Sequence, residues 1–183
     1  VRIEGIPQRI QSVSSKSVVF LVSRANKALR SVELTTKFNV VHNTSIKVVS
    51  VSPGIRVQGT GDDTESFYPA GLWTIDPTGV QRSPVTSAPI PVGPRTNPTL
   101  VSIQVVGLRP GGSTKGISVR LNGIQCVVTS VLTSFFAGQE ELSFQIPYYL
   151  AGNGVMDLVV TIDGRSSNIA RLNLGTSAGL SAK

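Results

Sequence analysis

Between residues 31 and 40 the side chains alternate: Val32, Leu34, Thr36, Phe38 and Val40 fall on one face, and Glu33, Thr35, Lys37 and Asn39 on the other. A period of two is the signature of a strand with one side in a core and the other in water, because successive side chains of an extended chain point to opposite faces. Comparable short ribbons recur at residues 17–22, 44–51, 99–106, 117–124, 141–146, 155–162 and 168–174. His42, Asn43 and Thr44 read as the hairpin turn between the ribbons at 31–40 and 44–51, and Ile46 and Val48 as the continuation of the inward face. Asn122-Gly123 and Asp163-Gly164 are tight-turn signals. Only 5% of the 183 residues are aromatic against 40% apolar. Any core must therefore be built from Val, Ile and Leu, whose stiff branched side chains favour the pleated surface of a sheet. The expected fold class is all-β.

The stretch from 52 to 98 differs, carrying eight of the eleven prolines with little sustained alternation. Proline cannot donate to a strand ladder, so this region is expected to form edges, turns and loops, with Leu72 or Trp73 covering the end of a core.

The two ends of the chain match. Val1 to Ile6 aligns with Val119 to Ile124; Val18, Phe20 and Val22 with Leu142, Phe144 and Ile146; residues 32–40 with 155–163; residues 45–51 with 168–174. Two copies of one supersecondary unit explain this economically. The expected organisation is tandem immunoglobulin-like β-sandwich modules. Residues 1–52 form an incomplete first module, 53–98 a Pro-rich connection packing on the second, 99–175 the second module, and 176–183 a small-residue tail. The second copy has a strand at 99–106 ahead of its Val119 element, and nothing in this chain precedes Val1. The first module is thus expected to lack its N-terminal strand, which either upstream residues or another chain would supply, since an open edge is adhesive. The start at Val1, without a signal-peptide pattern, reads as that of a processed or excised piece.

Residues 51–55 (Val-Ser-Pro-Gly-Ile), 70–74 (Ala-Gly-Leu-Trp-Thr), 121–123 (Leu-Asn-Gly), 142–147 (Leu-Ser-Phe-Gln-Ile-Pro), 150–154 (Leu-Ala-Gly-Asn-Gly) and 163–168 (Asp-Gly-Arg-Ser-Ser-Asn) stand in a distinctive order and spacing. In these the chain resembles the uncharacterised extracellular C-terminal domains of soil Acidobacteria such as Solibacter, over roughly residues 3 to 174. It departs from them in lacking the apolar strand before the first turn, and in having Ser23 where the second copy has Pro147. The resemblance implies a secreted or surface-exposed β module and carries over no catalytic or binding residue. Within it Asn168 is expected to fix the turn after Gly164 by bonding to nearby backbone.

Chemistry is sparse. The net charge of +7 arises wholly in residues 1–60, which hold nine basic residues against Glu4 and Glu33, while the rest of the chain holds eight of each sign. Those cations are dispersed, without interleaved aromatic pairs, which argues against nucleic acid and reads first as a solvated surface, with an acidic glycan, envelope surface or neighbouring domain as the partner they would suit. Cys126 is alone in an apolar strand and reads as a buried hydrophobe. His42, the only histidine, has no ligand-spaced companion, and no nucleophile elbow exists. Asp62, Asp63 and Glu65 could gather around calcium, but they are only three acids and do not follow the EF-hand spacing, so they read first as a solvated loop. Residues 107–116 are Gly-rich without the Walker order and are expected to be a hairpin loop. Trp73, Tyr68, Tyr148 and Tyr149 read first as core or rim packing and are the candidates for stacking on sugar; in an extended chain Tyr148 and Tyr149 would point oppositely and one would be exposed. No run of apolar residues reaches membrane-spanning length. The expectation is a protein without catalytic, cofactor or metal residues: a non-catalytic extracellular structural or assembly module that self-associates or meets neighbouring domains through sheet edges. The alternative is an accessory module binding carbohydrate or cell envelope.

Overall fold

The computed structural model describes residues 1–14, 17–22, 29–47, 51–59, 67–69, 71–76, 79, 81–82, 88–108, 113–133 and 138–177. Asp62, Asp63, Glu65, Ser23, residues 109–112 of the Gly-rich loop and residues 178–183 of the tail lie outside that set. The chain divides into two compact units, Val1–Ser50 and Val51–Lys183, and both are built of strands.

Among the described residues the first unit holds six strands: β1 (Arg2–Ile3), β2 (Ile6–Pro7), β3 (Arg9–Val13), β4 (Val18–Leu21), β5 (Leu29–Thr35) and β6 (Val41–Lys47). They form a four-stranded sheet in the order β2-β1-β5-β6 and a separate β3-β4 hairpin. Val32 and Ile3 sit opposite each other and are buried.

The alternation at residues 31–40 holds only as far as Thr36. Lys37 to Asn39 are the hairpin loop, Phe38 and Val40 are exposed, and His42 to Thr44 lie within β6, so the turn comes earlier than the sequence suggested. The cause is local. The Thr36 hydroxyl accepts the amides of Phe38 and Val40, Asn39 N donates to Thr36 O, and Asn39 takes φ +59°, a left-handed conformation that asparagine tolerates.

The second unit contains β7 (Gly54–Ile55), β8 (Val57–Gly59), β9 (Phe67–Pro69), β10 (Trp73–Ile75), β11 (Gln81–Arg82), β12 (Ile90–Val92), β13 (Leu100–Val106), β14 (Ile117–Leu121), β15 (Ile124–Thr133), β16 (Gln139–Gln145), β17 (Gly154–Ile162), β18 (Arg165–Ser166) and β19 (Ala170–Ser177). Apart from the β8-β9 pair, these make one eleven-stranded sheet that is curled and partly open. Its path runs β11-β10-β13-β16-β15-β14-β17-β19-β12. The curl turns on β15. Its first residues pair with β14 (Cys126 with Val119) and its remainder with β16 (Val128 with Phe144, Val131 with Leu142). A bulge between Val128 and Ser130 gives the extra twist that carries the strand from one limb of the sheet to the other.

The two limbs share one core. Val101, Ile103 and Val105 of β13 and Leu142 and Phe144 of β16 belong to the same apolar cluster as Leu121 of β14, Met156, Leu158 and Ile162 of β17 and Leu172 of β19. Strand β13 alternates buried and half-buried residues along its whole length, as the sequence predicts. The last strand is longer than its sequence suggests: Gly175 to Ser177 continue β19, which runs parallel to β12 with Ile90 opposite Leu174 and Val92 opposite Ser177.

Candidate functional site: the open hairpin of the first unit

The repeat inferred from sequence reappears as repeated geometry inside each unit. Glu4-Gly5 and Asn122-Gly123 both take left-handed φ pairs, +50° and +77° in the first turn, +45° and +81° in the second. Glu4 N donates to Ser31 O while Glu4 Oε1 accepts from Ser31 N at 2.7 Å. Asn122 N likewise donates to Asp157 O while Asn122 Oδ1 accepts from Asp157 N at 2.7 Å. Glu4 and Ser31 therefore do in one unit what Asn122 and Asp157 do in the other.

The hairpins agree too. In the first unit Ile10 faces Phe20 and Val13 faces Val18, with a bulge between Ile10 and Ser12. In the second Val128 faces Phe144 and Val131 faces Leu142, with the bulge between Val128 and Ser130. The sequence match of Val18 and Phe20 to Leu142 and Phe144 is the one these registers give. The matches of 32–40 to 155–163 and of 45–51 to 168–174 are both three residues out, because Ser31 corresponds to Asp157, Val32 to Leu158 and Ser45 to Arg171.

What differs is the surroundings of the hairpin. In the second unit β13 lies along β16, with Val101 opposite Phe144 and Ile103 opposite Leu142, and Phe144 is fully buried. Among the described residues nothing pairs with the corresponding edge of β4. Ile10 and Val13 are 46% and 67% exposed, whereas Val131, the counterpart of Val13, is 5% exposed. The far edge of β6 is also unpaired among the described residues, where its counterpart β19 is covered by β12. Apolar side chains beside unpaired backbone donors and acceptors make a surface that another strand can complete, since main-chain bonds and side-chain burial are then gained together.

The other candidates from sequence are scattered. His42 is exposed in β6 opposite Leu34. Cys126 is buried in the second unit, its Sγ 3.9 Å from Ile124 O, and burial pushes its thiol pKa up to about 12, so it is not a poised nucleophile. Leu72 is buried and Trp73 exposed, so Leu72 is the residue that covers the core; Tyr68 is buried as well. Tyr148 and Tyr149 are not in extended chain. They open a 3-10 turn, Tyr148–Leu150, and both are exposed, with their rings edge to face at 5.4 Å.

Asn168 does not fix the turn after Gly164. Its Oδ1 accepts from Ile55 N and its Nδ2 donates to Ile55 O, so one side chain imitates a neighbouring strand for β7. Ser167 takes the local task instead, its hydroxyl accepting from Val160 N and its amide donating to Val160 O. Among the described residues no three His, Cys, Asp or Glu side chains gather at metal-binding distance, and no helix is long and apolar enough to cross a membrane.

No family model, curated protein or solved structure matches the chain.

Proposed function

We propose that the chain is a non-catalytic assembly module of a secreted or surface protein, made of two immunoglobulin-like sandwiches of which the first takes a strand from outside itself. The immunoglobulin-like reading is supported by strand order. One limb runs β12-β19-β17-β14-β15 and the other β10-β13-β16-β15, with a short first strand parallel to the last one and a middle strand that changes limbs. The extracellular location rests on the resemblance carried by residues 51–55, 70–74, 121–123, 142–147, 150–154 and 163–168.

The observation that carries the proposal is the matched register of the two hairpins, one covered by an alternating apolar strand and the other bare. A strand seated on β4 would set apolar residues opposite Val18 and Phe20, as Ile103 and Val101 stand opposite Leu142 and Phe144. An equivalent chain or a neighbouring domain of the parent protein can provide it through a sheet edge.

Sedimentation and electron microscopy of the purified chain test this. The expected result is concentration-dependent association into regular oligomers, abolished by Phe20→Lys and retained by Phe38→Lys, which adds the same charge at the exposed β5-β6 loop. A chain that stays monomeric throughout, or two variants that behave alike, would overturn the assembly reading.

A further inference from the structure

The second unit carries a separate surface feature that assembly does not use. A shallow groove of about 240 Å³ is lined by Arg95, Pro98, Val127, Gln145, Tyr148 and Tyr149. Arg95, Tyr148 and Tyr149 are exposed, and among the described residues neither their side chains nor the Gln145 amide has a hydrogen-bond or ion-pair partner. Free polar groups of this kind are commonplace singly. Here four of them converge on one depression with an apolar lining, which is the composition of a small-ligand site.

The frame around the groove is rigid. Thr99, buried, donates its hydroxyl proton to Pro91 O at 2.8 Å and accepts from Gly93 N at 2.9 Å; Asn97 N donates to Pro94 O, closing the turn that presents Arg95. The tyrosines stand on a 3-10 turn closed by Leu150 N to Pro147 O, with Leu150 buried beneath and Gly152 N bonded to Gly175 O. Both segments are thus held before any ligand arrives, which lowers the ordering cost of binding.

We infer that this groove binds a saccharide bearing a carboxylate, a uronic acid residue or its equivalent. The apolar face of a pyranose ring suits an exposed phenol ring, and its hydroxyls, each donor and acceptor, suit the two phenol oxygens and the Gln145 amide, which also do both. The guanidinium of Arg95 selects a carboxylate, which it can grip with two parallel hydrogen bonds, and no acidic side chain lines the groove to oppose it.

The test is titration of the full chain, followed by NMR or calorimetry, with a galacturonic acid trimer, with its carboxyl-reduced galactose counterpart and with a proline-rich peptide. The uronate trimer is expected to bind saturably and the reduced trimer about tenfold or more weaker, with Arg95→Ala removing the same factor and Tyr149→Ala abolishing binding. Arg165→Ala, which removes an equal charge from exposed β18, is expected to change affinity less than about twofold, with all variants melting like the parent. The inference is overturned by absence of saturable binding, by equal losses in Arg95→Ala and Arg165→Ala, which would mean diffuse attraction to a basic protein, or by preference for the peptide.

Discussion

Burial raises the pKa of the Glu140 carboxyl, with a weaker opposing contribution from the backbone of Leu108, and its Oε2 is buried without a hydrogen-bond partner among the described residues. A carboxyl whose folded pKa lies above its unfolded value favours the fold when protonated. That contribution is present below the ordinary carboxylate range of about 4.3 and is lost as pH rises through the folded pKa. Glu140→Gln keeps the shape and removes the ionisation, so the variant should melt above the parent at pH 7, with the difference vanishing on acidification below about pH 4. Calorimetry at the two pH values decides it; a variant that melts lower at both would show that the charge is not the burden. The fate of Cys126 was legible in the sequence because a lone thiol among Ile, Val and Leu has one plausible place. The role of Asn168 was not, since its partner Ile55 is 113 residues away and nothing local announces the pairing.

Elements declared themselves when they were amphipathic. Strand β13 shows a clean alternation and folds as read, whereas β17 carries valines on both sides, Val155 and Val159 outward with Asp157 and Thr161, and Val160 inward with Met156 and Leu158, so its letters fix its register less firmly. That is why the sequence repeat shows in the letters but aligns three residues out along its third and fourth ribbons. The β5-β6 loop was displaced for a related reason: alternation continues in the letters through Phe38 and Val40, while the Thr36 hydroxyl ends the strand. Two changes test the packing of these elements. Phe144→Ala, at a fully buried position, should cost about 3–5 kcal/mol in denaturant titration of the second unit. Asn168→Ala removes both bonds that hold β7 and should cost about 1–3 kcal/mol, with faster amide exchange at Ile55. Little loss in either would mean that the site is not packed as described.

For the molecule as a whole, the sequence conveyed two β units of common design because turn residues and bulge-flanking apolar pairs recur in order. The candidate surface was half legible. An open edge could be anticipated by comparing copies, but the bareness of the β3-β4 hairpin among the described residues depends on what stands beside it, which no residue in the hairpin encodes. The sugar groove was less legible still: Tyr148 and Tyr149 stood out, but Arg95 and Gln145 reach them only through the fold. Burial differs accordingly, with Ile3 and Val32 the buried apolar residues described in the first unit and a continuous cluster in the second.

Amide hydrogen exchange resolved by strand, in dilute monomer and then at rising concentration, reaches the central claim most directly. The account predicts that in monomer the amides of Val18–Leu21 exchange at least about 100-fold faster than those of Leu142–Gln145, and that they become protected as chains associate while β16 does not change. Equal protection of the two strands in dilute monomer would contradict it, because the edge of β4 would then already be covered.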